Sequence, residues 1–155
     1  MEKSELTYCG QQVMEQDKDR FRISLFFPPD KRKAMWAIMA FNAEIAKTRE
    51  VVTETQIGHI RLQWWRDRLE DIYAFLDDRL EKGAWQDNEI LNNLCTAIER
   101  YDLREEDFKN LTYAREFDLE NVPPPSLKGL KNYAEYTATP LNKLLVQIEN
   151  REETE

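Results

Sequence analysis

The sequence predicts an all-α protein, a helical bundle of about six helices in a single domain spanning residues 1–155. Three observations carry this. Glycine is scarce, at four residues, and the six prolines are clustered, so the turns that a strand-rich chain needs are missing. Several long segments repeat apolar residues at helical spacing. The uninterrupted apolar run of residues 34–41 suits a helix buried on all sides inside such a bundle.

The elements follow in order. Residues 5–18 form a first helix with Leu6, Cys9, Val13 and Met14 on one side and Ser4 as N-cap. After the charged tract from Asp17 to Arg20, the run Phe21, Ile23, Leu25, Phe26, Phe27 reads as an extended or irregular buried connector that Pro28-Pro29 ends. Asp30 is placed as the cap of the next helix, AMWAIMAFNAEIAKTRE over residues 34–50. That helix begins wholly apolar and turns polar in its last turns, so it forms a plausible wall for a polar site. A polar, β-branched break over residues 50–56 precedes a long helix from Ile57 to about Lys82, where Gly83 stops it. Its apolar stripe is read as Ile57, Ile60, Trp64, Trp65, Leu69, Ile72, Tyr73, Leu76 and Leu80, with Arg61, Gln63 and Arg66 on the polar side. Residues 87–101 and 105–119 give two shorter helices. Pro123-Pro124-Pro125 is a rigid linker, and Ser126 caps a last helix reaching about Ile148, with a kink expected before Pro140. Residues 149–155 read as a polar, frayed tail.

Composition excludes several function classes. A net charge of −8 argues against a nucleic-acid partner, because phosphate binding needs a basic surface. Cys9 and Cys95 are far apart, with no CxxC and no Cys/His cluster, which argues against zinc and points weakly to a reducing compartment. No window approaches the roughly 20 apolar residues of a membrane span, and the first residues resemble neither a signal peptide nor a presequence.

Most single features have a plain structural reading. His59 has no nucleophile or carboxylate partner visible in sequence and reads as a helix-surface residue. Trp64 and Trp65 point about 100° apart, so at most one occupies the centre of the stripe. Asp17, Asp19, Asp77 and Asp78, and the tail carboxylates Glu152, Glu153 and Glu155, read as solvated charges rather than Mg²⁺ ligands.

Three stretches carry a resemblance. LFFPPDKRKAMWAIMAFNAEIAKTREVV, IGHIRLQWWRDRLEDIY and YAEYTATPLNKLL, in that order, resemble the squalene/phytoene synthase family, and Tyr8-Cys9 fits as well. The resemblance implies an isoprenoid-synthase-type helical bundle with a cavity where two aspartate-rich motifs hold Mg²⁺ on prenyl diphosphates. It implies, too, that this chain corresponds to about the N-terminal half of such a fold, without the second motif.

The first motif, of the form D-D-x-x-D, falls on Ala46-Lys47-Thr48-Arg49-Glu50. Only Glu50 keeps a carboxylate, Lys47 puts a cation where Mg²⁺ would sit, and the arginine that commonly precedes the motif falls on Ala43. The wording AFNAEIAKTREVVTETQIGHIRLQWWRDRLEDIY looks most like a divergent branch that includes a mitochondrial assembly factor for respiratory complex I and its alphaproteobacterial relatives.

The resemblance therefore implies a non-catalytic, scaffold-like protein without a cofactor. It would hold a protein partner or an isoprenoid-like ligand, on the matrix side of the mitochondrial inner membrane in a eukaryote, peripherally attached, or in the cytoplasm of a bacterium. The alternative is a Mg²⁺-dependent prenyltransferase that condenses farnesyl or geranylgeranyl diphosphate. A blander expectation is self-association that covers exposed apolar surface. The residues to suspect, lining the degenerate diphosphate site or facing a partner, are Asn42, Glu44, Lys47, Glu50, Arg61, Gln63 and Arg66. Their plainest role is inter-helix ion pairing and solvation.

Overall fold

A buried helix organises the molecule. The computed structural model describes residues 6–81 and 83–151. Among them are nine α-helices and a 3-10 turn at Ala84–Asp87: α1 (Tyr8–Gln16), α2 (Lys18–Ser24), α3 (Pro29–Ala46), α4 (Thr48–Val51), α5 (Thr55–Leu76), α6 (Glu89–Tyr101), α7 (Glu105–Ala114), α8 (Glu116–Glu120) and α9 (Leu127–Asn150). No strand occurs among the described residues. The helices beyond the expected six are the short α2, α4 and α8.

All eight residues 34–41 of α3 are buried, as the apolar run implies. Around them pack α1, α2, α6 and α9. Phe41 meets Trp65 of α5 and Phe108 of α7 edge-on, with ring centroids 5.6 Å apart in each pair. Burying side chains of this size contributes about 1.5–3 kcal/mol each. The approach of α1 requires Gly10, because a Cβ there would lie 2.6 Å from Cε3 of Trp36. At the start of α3, Arg100 of α6 donates to Asp30 at 2.8 Å, and Lys31 donates to the Glu149 carbonyl of α9 at 2.6 Å.

Several local expectations are corrected. Phe21 to Ser24 is helical rather than extended. The Asp17 side chain caps α2 by accepting from the Arg20 N–H at 3.1 Å, and Phe21 and Ser24, three apart, face inward. Ile23, Leu25 and Phe26 are exposed instead of buried. Pro28 precedes α3 as its N-cap, and Asp30 lies inside the first turn, where a carboxylate suits the helix dipole. Thr7 caps α1; the expected cap Ser4 lies outside the described residues, as do Glu152, Glu153 and Glu155. The long helix α5 ends at Leu76 rather than near Lys82, which is itself outside the described residues, and Asp78 takes a left-handed conformation (φ 57°) just beyond it. Residues 105–119 split into α7 and α8 at Arg115. Helix α9 runs from Leu127 through Pro140 to Asn150, so Glu149 and Asn150 of the expected tail are helical, and Ser126 caps it as expected, accepting from Gly129 N–H at 3.1 Å.

The face of α5 turned inward also differs from the expected stripe. Gly58, Leu62, Trp65, Arg66, Leu69 and Ile72 are buried, while Ile57, Ile60 and Trp64 are exposed. Gly58 sets this rotation, since a Cβ there would meet Cδ2 of Leu119 at 2.5 Å and hold α8 away. Of the two tryptophans only Trp65 is buried.

Candidate functional site

The polar end of α3 meets α5 through a carboxylate held by two cations. Glu44, 17% exposed, pairs with Lys47 one turn along and with Nη2 of Arg61 at 2.8 Å. The helix changes direction here. Lys47 ends α3, and its carbonyl accepts from the Glu50 N–H at 2.9 Å to open the short α4. Thr48 is buried with its hydroxyl unpartnered, and Asn42 Oδ1 and Arg61 Nε are likewise buried without a hydrogen-bond partner. These three atoms lie on α3, α4 and α5, and Nη1 of Arg66 on α5 is buried without a partner as well.

The remaining candidates gather elsewhere. Arg66 lies on the buried face of α5 instead of its polar side, only 7% exposed. Its guanidinium donates to Glu116 of α8 at 2.7 Å and to Oε1 of Gln63 at 3.2 Å, and sits 4.6 Å from the ring centre of Tyr113. Burial is tolerated because the ion pair, the hydrogen bond and the aromatic face replace water around most of the charge. Gln63 is exposed and donates in turn to Asp67 at 2.7 Å. Glu50 is exposed and joins neither cluster. The seven candidates thus divide into Glu44–Lys47–Arg61, Gln63–Arg66, and Asn42 and Glu50 apart. His59 is half-buried on α5.

Sequence reasoning missed Thr48, Tyr113 and Glu116. The last two lie about fifty residues beyond Arg66, and no local periodicity signals a contact over such a separation. Thr48 opens α4 directly after Lys47, and no sequence signal sets it apart from the polar residues around it.

The arrangement does not suit Mg²⁺. The Ala46 side chain has no ligand atom, Glu50 is exposed, and Glu44 is already paired with Lys47 and Arg61. A hard divalent cation needs several free oxygen ligands, and two cations beside it add repulsion. Among the described residues no three His, Cys, Asp or Glu side chains come together as a metal site would require.

Two grooves lie away from these residues. A largely apolar groove of about 760 Å³ runs between α8, the prolines 123–125 and the start of α9, lined by Phe117, Val122, Leu130, Tyr133 and Tyr136 among others. A second, shallower one of about 500 Å³ lies beside Arg104 and Asn142. Neither is lined by any of the seven candidates. No described helix is long and apolar enough to cross a membrane.

Comparison with known proteins gives relatives of two kinds. The chain is 30% identical over 141 residues, 91% of its length, to the human protein "NADH dehydrogenase (ubiquinone) complex I, assembly factor 6". It is 25% identical over 146 residues to the homologue from Drosophila melanogaster. To "Phytoene synthase 1, chloroplastic" of Arabidopsis thaliana it is 24% identical over 143 residues, 90% of its length. It spans 40% of the human protein and 31% of the plant one. No solved structure matches. The family model for squalene/phytoene synthase matches residues 13–155, and with an all-α bundle of the expected kind beneath that match, the chain belongs to the squalene/phytoene synthase family.

Proposed function

We propose that this chain is a non-catalytic scaffold with a role like that of its complex I assembly factor relatives, built as a single unit on the N-terminal half of the family fold. The observation that carries this reading is the Glu44–Lys47–Arg61 cluster. It fills the end of α3 with fixed ion pairs where a diphosphate-binding helix would present free carboxylates. The likeness to the assembly factors supports the same side. On this reading the partner is a protein met during assembly of respiratory complex I. The place is the matrix side of the inner membrane in a eukaryotic cell and the cytoplasmic side in a bacterium, with peripheral attachment where a membrane is involved.

Two measurements test it. The purified chain, incubated with farnesyl or geranylgeranyl diphosphate and Mg²⁺, is expected to give no condensed product and no Mg²⁺-dependent pyrophosphate binding by calorimetry. Turnover would replace the scaffold with the prenyltransferase, the reading that the phytoene synthase likeness favours. In cells that encode the chain, its deletion is expected to lower the amount of assembled complex I on native gels, restored by Ala46→Ser as well as by the wild type. Unchanged complex I would refute the assembly role.

A further inference from the structure

The turn between α2 and α3 carries its apolar residues on the outside. Ile23, Leu25 and Phe26 are 57%, 37% and 90% exposed, with Pro28 and Pro29 exposed beside them. Single apolar residues on a surface are ordinary, but these follow one another round one tip. The tip is closed within itself. The N–H groups of Leu25, Phe26 and Phe27 donate to the carbonyls of Arg22, Ile23 and Ser24 at 3.2, 3.2 and 3.1 Å. Pro28 and Pro29 have no N–H to satisfy. The Arg32 guanidinium donates to the Leu25 and Phe27 carbonyls at 3.1 and 3.0 Å, which fixes the turn from the side of α3. A protruding apolar tip with its N–H groups already bonded can enter a medium that offers no hydrogen-bond partners, whereas an open loop cannot.

The charges around the tip select the medium. Residues 17–33 hold Lys18, Arg20, Arg22, Lys31, Arg32 and Lys33 against Asp17, Asp19 and Asp30, a net of +3 in a chain of −8, so the remaining residues carry −11. Each cation lies within about 10 Å of the tip along its own helix, roughly one Debye length. Lys18 and Lys33 are exposed and form no ion pair among the described residues. Arg32 meets backbone carbonyls and the Trp36 ring rather than a carboxylate. An apolar tip backed by unpaired cations suits an anionic bilayer, where the tip enters the headgroup region and the cations stay with lipid phosphates. The cores of protein interfaces are depleted of lysine, whereas lysines beside an inserted tip reach up to the phosphates. The tip also stands apart from the unpacked half of α9. Lys31, two residues into α3, donates to the carbonyl of Glu149, about 15 Å of helix beyond residue 139.

We propose that the α2–α3 turn is a membrane-attachment tip. Ile23, Leu25 and Phe26 enter the headgroup region of an anionic bilayer, and Lys18, Arg32 and Lys33 face the lipid phosphates. The proposal rests on the peripheral attachment put forward above, for which it names the surface and the lipid chemistry, and it does not depend on the non-catalytic role.

Co-sedimentation of the 155-residue chain with vesicles is the test. Binding is expected to phosphatidylcholine vesicles that contain about a third phosphatidylglycerol, and to be about tenfold weaker or worse with phosphatidylcholine alone. Phe26→Asp is expected to weaken binding to the anionic vesicles about tenfold or more. Lys18→Gln with Lys33→Gln should weaken it about thirtyfold at low salt. The three side chains are exposed, so circular dichroism of the variants is expected to match the wild type. Anionic binding that survives Phe26→Asp, or equal binding to the two kinds of vesicle, overturns the tip. A wild-type chain that ignores both vesicles overturns it too. Fractionated cell membranes then read the broader attachment: a chain that they retain, and release once the membranes are treated with protease, is attached through a protein partner instead of through this turn.

Discussion

Helices α3 and α9 line the same core and are enclosed to different degrees. In α3 the apolar run is surrounded on every side and its polar end is closed by ion pairs with α5. In α9 an apolar seam of equal regularity is enclosed for one half and open for the other. A seam in sequence specifies what a helix wants to bury; whether it does so depends on what lies opposite. The enclosed helix therefore carries stability along its whole apolar run, and α9 only over its second half.

The largest effect expected from this contrast is in α3. Phe41→Ala removes a fully buried ring that touches two other aromatic rings and should cost about 3–5 kcal/mol, read by urea denaturation. Inside α9 the contrast sharpens within one element. Leu144→Ala should cost about 2–5 kcal/mol, whereas Leu130→Ala should stay within about 0.5 kcal/mol. Equal costs would mean that the first half of α9 packs on its own body.

Much of this was legible in the sequence. The apolar run in α3 and the cap at Ser126 are local patterns, and local patterns decide helix existence. The rotation of α5 was not legible. Its inward face is fixed by Gly58 admitting Leu119 and by Arg66 reaching Glu116, contacts with residues far along the chain. Isoleucine at 57 and 60 outweighs leucine at 62 in a stripe drawn by hydrophobicity, yet Leu62 is the buried one. Helix α2 was misread because alternation at Phe21, Ile23 and Leu25 imitates a strand, whereas the deciding signal was Asp17 three residues before Arg20. At the candidate site the loss of carboxylates was visible at once. That Glu44 takes up both Lys47 and Arg61 needed the structure, because Arg61 arrives from a different helix.

The two ion-pair clusters at the α5 contacts should differ in the same way as the helices. Arg66→Ala leaves Glu116 without its partner and opens a gap under Tyr113, so a loss of about 2–3 kcal/mol is expected. Arg66→Met should recover part of it by keeping the packing. Glu44→Gln disturbs a pair whose cations are about a third exposed and screened by water, and should cost about 1 kcal/mol or less, declining further in high salt. If Glu44→Gln proved the costlier of the two, the α3 end would be a structural keystone instead of a vestige of a site.

The smallest effect comes from the seam where α1 closes over α3. Burial, with a contribution from the Glu89 carboxylate, pushes the Cys9 thiol up to about 12 from an ordinary 9.0. The folded chain therefore holds Cys9 as the neutral thiol while the unfolded chain begins to ionise near pH 9. A raised acid favours the fold below the unfolded value, and that favour drains away as pH rises toward the folded value. About half a kcal/mol should be lost by pH 9, as the first step. Burial together with Glu105, Asp107 and Asp102 likewise raises Tyr73, whose contribution would begin to drain only near pH 10. Denaturation of wild type and Cys9→Ala at pH 7 and pH 9 isolates the first step, because the variant should lack it. A native chain whose Cys9 reacts with iodoacetamide at pH 9 as fast as a free thiol would mean that α1 lifts from α3, and that the enclosed helix is less enclosed than α9's buried half.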